Sequence, residues 1–478
     1  MTFNYTLLNS SFQNNQRQWK YHVKIKLRRY RFKLLCSAGI ITILLLYIFG
    51  VFTHLLELDY ETNFSYPLST PNFRYLIETV KLKLHSSELA TPLNNFTFAY
   101  NYSPAGKCVA SSASIPPSPL TLLIVVKSAV CNYRLRAAIR QTWGYEKRFA
   151  DVNIRTVFVL GRCPPTSSSA STTSSRRSRT SPITTTTTTS SQCTITSRLS
   201  PLFATKAFTW LPKCNDSSTA ATTDDSSWPK LSSSSSSSPS PSEPYPLDCQ
   251  QLIDAEYAAH QDLVQAEFTD SYYNNTLKTM ATLHWTVTHC SQVPFLLFVD
   301  DDYYVSVKNL LKFTRNFLRR AAHGSEVDDG EDDVSLEQAK SDNRNEYVHF
   351  DGRLYTGFVF PHSRPMRHLP SKWYISLAEY PFSRYPPYVT GGCFLLNNHT
   401  VADLHYASLY TAKFKYDDVY LGILAHKMGV RLVHNPHMYF HKYGYEKAAY
   451  REVIASHGYG SPEELITVWE EQKAAGNA

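Results

Sequence analysis

The sequence predicts an open α/β sheet carried behind one N-terminal apolar helix. Three observations predict it. An uncharged stretch of 23 residues, Leu34 to Leu56, is dominated by Leu, Ile and Val. Beyond Leu120, β-branched apolar strands alternate with segments of helical spacing. One of those strands, Phe295-Leu296-Leu297-Phe298-Val299, stops at three adjacent carboxylates, Asp300, Asp301 and Asp302.

The first 33 residues hold no Asp or Glu, and their eight Lys and Arg (Arg17, Lys20, Lys24, Lys26, Arg28, Arg29, Arg31, Lys33) equal the whole net charge of +8. The remainder is neutral overall, so the basic balance does not point to nucleic acid. The apolar stretch that follows is long enough to cross a hydrocarbon layer of roughly 30 Å as a helix. The basic flank places residues 1–33 on the cytoplasmic side and the rest in a lumen or outside. Without a clean small-residue cleavage site, an uncleaved signal anchor at 34–56 is expected. Lumenal exposure is consistent with Asn-x-Ser/Thr triplets at Asn63, Asn95, Asn101, Asn215, Asn274 and Asn398. Eight of nine cysteines lie beyond the span; they admit four disulfides in 105 pairings. None has the clustered spacing of a zinc site.

Residues 57–119 read as a stem rich in Asn, Ser, Thr and Pro. Thr121 to Val126 is a strand, Tyr133 to Trp143 a helix, and Val157 to Leu160 with Gly161 a second strand and turn. The order then breaks. Residues 164–192 are almost all Ser, Thr, Pro and Arg, and 215–246 return to Ser and Pro with seven serines in succession from Ser232. Such tracts bury too little apolar surface to offset their ordering, so about 162–248 is read as a disordered, passive surface insert. The fold resumes at Leu252. Leu277, Met280, Leu283, Trp285 and Val287 give Thr276 to His289 an apolar face. The strand ending at Asp300–Asp302 follows, then a helix from Val307 to Leu318 and an acidic loop over 325–340. Residues 120–478 without the insert make one domain of ordinary upper size.

Three crowded carboxylates at a strand end are costly unless a cation neutralises them; a hard divalent ion carrying a phosphorylated substrate suits them. A second pair, Asp417-Asp418, lies between aromatic Tyr416 and apolar Val419. It offers a base for proton removal, or merely an acidic helix start. Arg136 and Arg140 share one helix face.

Several segments in order carry a resemblance: Arg136-Ala-Ala-Ile-Arg-Gln-Thr-Trp-Gly144, Tyr272-Tyr-Asn-Asn-Thr-Leu-Lys-Thr279, Phe298-Val-Asp-Asp-Asp302, Ser371-Lys-Trp-Tyr374, Tyr385-Pro-Pro-Tyr388 with Gly391-Gly392, and Tyr416-Asp-Asp-Val-Tyr-Leu-Gly422. Together they resemble the β-1,3-glycosyltransferase family, which includes β-1,3-galactosyltransferases and β-1,3-N-acetylglucosaminyltransferases. The match covers about 120–162 and 252–469. The resemblance implies a GT-A fold, with a Rossmann-like nucleotide half and an acceptor half around one mixed sheet. It also implies inverting transfer from a UDP-sugar with Mn²⁺, and a Golgi enzyme of single-pass type II topology. The acceptor would be a glycan on a glycolipid or glycoprotein, and a homodimer is left open.

Carried over residue by residue, Asp302 coordinates Mn²⁺, with Asp300 and Asp301 on the donor ribose, its sugar or the metal sphere. His457 is a second candidate ligand. Asp418 is the base, with Asp417 next in line. Arg136 and Arg140 serve the nucleotide side through the diphosphate or through packing, and Lys278 pairs with Asp270 or approaches the donor. Trp373 and Tyr374 line the acceptor groove, while Gly391 and Gly392 permit close backbone approach near the donor. Glu267, Cys393 and Asn397 depart from the family's commoner residues. Segments Asp300–Ser306, Tyr380–Tyr388 and Phe414–Leu421 look most like an invertebrate branch that adds N-acetylglucosamine to a glycolipid. That makes UDP-N-acetylglucosamine the expected donor, with UDP-galactose or UDP-N-acetylgalactosamine as alternatives. A non-catalytic lectin-like Golgi protein or a surface adhesion protein are the rival classes; the intact aspartate clusters weigh against the first.

Overall fold

The computed structural model describes residues 4–65, 72–83, 91–108, 120–164, 249–323 and 352–478. The interior of the Ser/Thr/Pro insert and the acidic stretch 325–340 lie outside them, as do Asn215, Cys193 and Cys214. The chain divides into two units. One, Cys163–Leu252, is described only at its two ends, which the disulfide Cys163–Cys249 joins. The other comprises residues 1–162 and 253–478.

The larger unit is built on a mixed eight-stranded sheet. In chain order its strands are β1 (Tyr100–Tyr102), β2 (Leu120–Lys127), β3 (Asn153–Arg162), β4 (Leu263–Thr269), β5 (Phe295–Asp300), β7 (Tyr355–Phe360), β8 (Tyr388–Asn397) and β9 (Leu432–His434), arranged β1-β4-β3-β2-β5-β8-β7-β9. From β4 to β5 the strands run parallel. Both β2 and β5 are buried along nearly their whole length, which is why they read as continuous apolar runs and not as alternating ones. The direction reverses where β8 joins β5 antiparallel, placing Cys393 opposite Val299. Register puts Lys127, the last residue of β2, beside Asp300, the last of β5. Open sheets bind ligands outside the carboxyl ends of parallel strands, and here two such ends meet at the reversal. Truncating Leu296 or Leu297, both fully buried, would cost about 2–5 kcal/mol.

A small second sheet joins β6 (Tyr303–Val305), β10 (Met438–Tyr439) and β11 (Ala455–His457). Its register sets His457 across from Tyr303. The helix Asn275–His289 forms as its spacing predicts, with Met280, Leu283 and Trp285 buried. It packs on the helix Asn398–Leu409, and the helix Asp417–Met428 packs on β8.

Three expectations are corrected. The apolar run does not continue as one helix to Leu56. The long helix Asn4–Ile48 ends before Gly50, whose φ of 75° breaks it. Its stretch Lys26–Ile48 is long and apolar enough to cross a membrane. Secondly, much of the supposed stem is folded. Phe73 and Ile77 of the helix Phe73–Lys81 are buried, as is Phe96, and β1 extends the sheet edge. Cys108 is bonded to Cys290. A few apolar side chains at helical spacing suffice for this, and an Asn/Ser-rich average hides them. Thirdly, Cys393 enters no disulfide; it is a buried thiol in the middle of the sheet, which excludes the four-bridge pairing.

Candidate active site

The carboxyl ends of β2 and β5 bring the aspartates around one buried cation that the sequence reading missed. Lys127 Nζ lies 3.1 Å from Asp300 Oδ1 and 3.3 Å from Asp417 Oδ2, and donates to Gly391 O at 2.7 Å. Its side chain is almost wholly enclosed. Burial alone would favour the neutral amine, but the two carboxylates outweigh it and hold the ammonium charged. The only signal in the sequence was the position of this lysine, ending an apolar strand as the aspartates end another.

The three aspartates take separate roles. Asp300 faces Lys127 and retains over a third of its side-chain surface. Asp301 is buried, and its Oδ2 accepts from Ser128 Oγ at 2.6 Å and Asn132 Nδ2 at 3.0 Å. Asp302 Oδ2 stands 3.1 Å from His457 Nε2, which the pairing of β11 with β6 delivers. Burial disfavours protonated His457, yet the Asp302 carboxylate raises its pKa overall. Asp302 Oδ1 is buried with no hydrogen-bond partner. An orphaned carboxylate oxygen beside an imidazole fits a divalent cation. Among the described residues no group of three or more His, Cys, Asp or Glu forms a ready-made cage. A cation held here would take its remaining ligands from a bound diphosphate and water.

Asp417 and Asp418 open the helix Asp417–Met428, but the environment separates them. Asp417 is buried; its Oδ2 accepts from Thr279 Oγ1 at 2.8 Å and contacts Lys127. Burial works against its ionised form, but Lys127 and Thr279 outweigh it and lower its pKa. Asp418 is half-buried, with Oδ1 accepting Val419 N–H at 2.7 Å. Burial and the neighbouring Asp417 charge push its pKa up to about 7. One carboxylate is thus fixed in the ionised state and the other poised near neutrality, the division expected of a structural acid and a working base. A protonated carboxyl cannot accept a proton, so if Asp418 takes up a proton in catalysis, kcat should rise with pH through about 7 and level above it. A kcat that is flat from pH 5.5 to 8.5 would remove Asp418 from this role.

Gly391 and Gly392 line the same corner. A Cβ on Gly391 would lie 3.3 Å from Asp417 Oδ1 and 3.4 Å from Asp418 Cβ. On Gly392 it would overlap the Tyr303 hydroxyl and stand 2.9 Å from the ring, which is fully buried. Gly392→Ala should therefore destabilise the protein by about 1–3 kcal/mol, read as a lowered Tm; an unchanged Tm would mean that Tyr303 moves freely.

The aromatic residues form a rim. Trp373, half-exposed, donates from Nε1 to Tyr272 Oη at 3.0 Å, and Lys372 Nζ lies 4.5 Å from the Trp373 ring centre. Burial raises the Tyr272 pKa, with Asp418, Asp417 and Asp300 adding to it, so this phenol stands within electrostatic reach of the carboxylates. Tyr374 contributes its carbonyl, which accepts from Tyr416 Oη at 2.9 Å. Beside this rim lies a cavity of about 330 Å³ lined by Tyr273, Ile375, Glu379, Lys413 and Lys415 among others.

The arginines and Lys278 are committed elsewhere. Arg136 is fully buried, and all five N–H groups are spent on Glu256, Ser128 Oγ and the carbonyls of Ala129 and Val130. That leaves nothing for a diphosphate; Arg136 supports the loop that grips Asp301. Arg140 forms a fork on Asp262 and contacts Glu256. Lys278 pairs with Asp270 at 2.9 Å and donates to Ser128 O at 2.6 Å. Of the alternatives the sequence left open for these residues, the structure displays the packing ones.

The family model described as galactosyltransferase matches residues 246–436. That span contains both aspartate clusters and the aromatic rim, but not Lys127 or His457. The Drosophila melanogaster protein beta-1,3-galactosyltransferase brn is 33% identical over 447 residues, 93% of this chain and 97% of its own. The Caenorhabditis elegans beta-1,3-galactosyltransferase bre-5 is 34% identical over 216 residues, 45% of this chain and 57% of that one. Human beta-1,3-galactosyltransferase 1 is 28% identical over 224 residues, covering 47% and 59%.

Proposed function

The chain belongs to the galactosyltransferase family and is a hexosyltransferase, and we propose that it forms β-1,3 linkages with inversion, using a UDP-sugar, Asp418 as base and a Mn²⁺ ion. The observation that carries this reading is the split aspartate pair: Asp417 is tied to Lys127 and Thr279, while burial and the Asp417 charge push the pKa of Asp418 up to about 7. In a single displacement an acceptor hydroxyl attacks the sugar's anomeric carbon as the bond to UDP breaks, and its proton passes to an Asp418 oxygen. Lys127 keeps Asp417 ionised, so the neighbouring carboxylate, not Asp417, takes the proton. Tyr272 and Trp373 offer flat apolar faces to the C–H surface of the acceptor sugar and orient its hydroxyl. Asp302 and His457 would hold the cation, with Asp300 beside them. When bound, the cation supplies Lewis-acid stabilisation of the departing diphosphate.

Two donors are supported by different observations. The names its relatives carry favour galactose. The segments Asp300–Ser306, Tyr380–Tyr388 and Phe414–Leu421 favour N-acetylglucosamine. The acceptor is a glycan on a glycolipid or glycoprotein. The basic tail and the apolar helix support a type II anchor in the Golgi membrane, with the catalytic unit lumenal. Incubating the protein with each UDP-sugar and with mannosyl- or galactosyl-terminated acceptors, then determining linkage and anomeric configuration by NMR, tests the proposal. A β-1,3 product is expected from an α-linked donor. A retained configuration or another linkage would overturn it.

A further inference from the structure

We infer that the segment just after the membrane helix is a working part of the acceptor-side loop, with Glu57 as a positioning residue for acceptor binding. The inference rests on reading the Trp373 rim as the acceptor side.

The contact begins where the long helix ends. Ile48 O accepts Leu369 N–H at 3.1 Å, and the Phe49 and His368 rings lie 4.9 Å apart. Gly50 has a φ of 75°, and a Cβ there would overlap the Arg367 carbonyl, so only glycine fits both the turn and the approach. Glu57 is then carried inward. Its Oε1 lies 2.8 Å from Arg367 Nε, and both side chains are buried. Leu58 pairs with Phe382 as in a strand, exchanging hydrogen bonds with Pro381 O and Ser383 N–H. Phe64 closes the segment against Phe382 and His426.

What Glu57 holds is the organiser of the loop. The Arg367 guanidinium donates to Ile375 O at 2.8 Å, Tyr380 O at 2.7 Å and Phe382 O at 3.3 Å. It thereby fixes both ends of the excursion that presents Trp373 and Tyr374. Ile375 lines the cavity beside the rim. Tyr374 O is bonded to Tyr416, the residue before Asp417. An unbroken series of contacts thus runs from Glu57 through Arg367, Ile375 and Tyr374 to the start of the aspartate helix. Removing the Glu57 charge leaves a buried guanidinium without its counter-ion and loosens the loop it ties.

The test compares wild-type full-length protein with Glu57→Gln, Glu57→Asp and Phe64→Ala. Phe64→Ala removes the outer contact while leaving the buried pair, and covers the case that Glu57→Gln fails to fold. Acceptor KM, donor KM and amide exchange over 366–382 are measured. Glu57→Gln should raise acceptor KM on the order of tenfold, with donor KM within about twofold and exchange over 366–382 accelerated. Glu57→Asp should recover part of the loss, and Phe64→Ala should shift acceptor KM in the same direction by less. Unchanged exchange and unchanged acceptor KM in the folded variants would overturn the inference. Accelerated exchange with an unchanged acceptor KM would overturn instead the placing of the acceptor at this rim. A fall in kcat alone would leave Glu57 a purely structural residue and would also overturn the inference.

Discussion

Replacing Asp418 by Asn should lower kcat by about 10²–10⁴-fold while leaving UDP affinity and folding near wild type. The amide keeps the size of the carboxylate and can still accept from Val419 N–H, so the start of the helix is retained. It cannot take a proton. Asp417→Asn separates this account from its nearest rival. Asp417 is buried against Lys127 and Thr279, so its loss should lower stability as well as activity, because the buried lysine would keep Asp300 but lose its second carboxylate partner. If Asp417→Asn abolished turnover with stability intact, and Asp418→Asn had little effect, the two assignments would exchange.

Asp302→Ala carries the second large effect. Asp302 combines an orphaned buried oxygen with a histidine contact, and no other described aspartate of the cluster has both. Its removal should cost at least about a hundredfold in kcat/KM, because a metal contribution of several kcal/mol would be lost. Residual activity should require more Mn²⁺, and UDP affinity in Mn²⁺ should fall to the value found with chelator. His457→Ala should act in the same direction by less. Asp302→Ala with wild-type Mn²⁺ dependence would take this residue out of the metal site.

The legible parts of this molecule were those whose chemistry is contiguous in the chain. Phe295 to Asp302 reads as a buried strand ending at a site because five apolar residues and three carboxylates adjoin. The alternation of strands and helices beyond Leu120 was legible for the same reason. Lys127 was not, because its importance comes from register: β2 and β5 end side by side, and only pairing reveals that the lysine meets Asp300. The arginines were placed correctly on one helix face, but their partners Glu256 and Asp262 lie beyond the insert, out of reach of any local pattern. The segment after the long N-terminal helix was hidden by composition. Glu57 looks like an ordinary polar residue until the fold sets it against Arg367, 310 positions away. The reversal from parallel β5 to antiparallel β8, which creates the site, is likewise a property of pairing that strand content alone does not specify.

UDP release by the whole 478-residue chain decides between a metal-dependent transferase with Asp418 as base and its rivals. It would be run with Mn²⁺ or chelator, across UDP-N-acetylglucosamine, UDP-galactose and UDP-N-acetylgalactosamine, with and without glycan acceptors. The proposed mechanism requires metal-dependent release with one donor, accelerated by an acceptor and lost in Asp418→Asn. Release that is indifferent to chelator, or that survives Asp418→Asn undiminished, would contradict it.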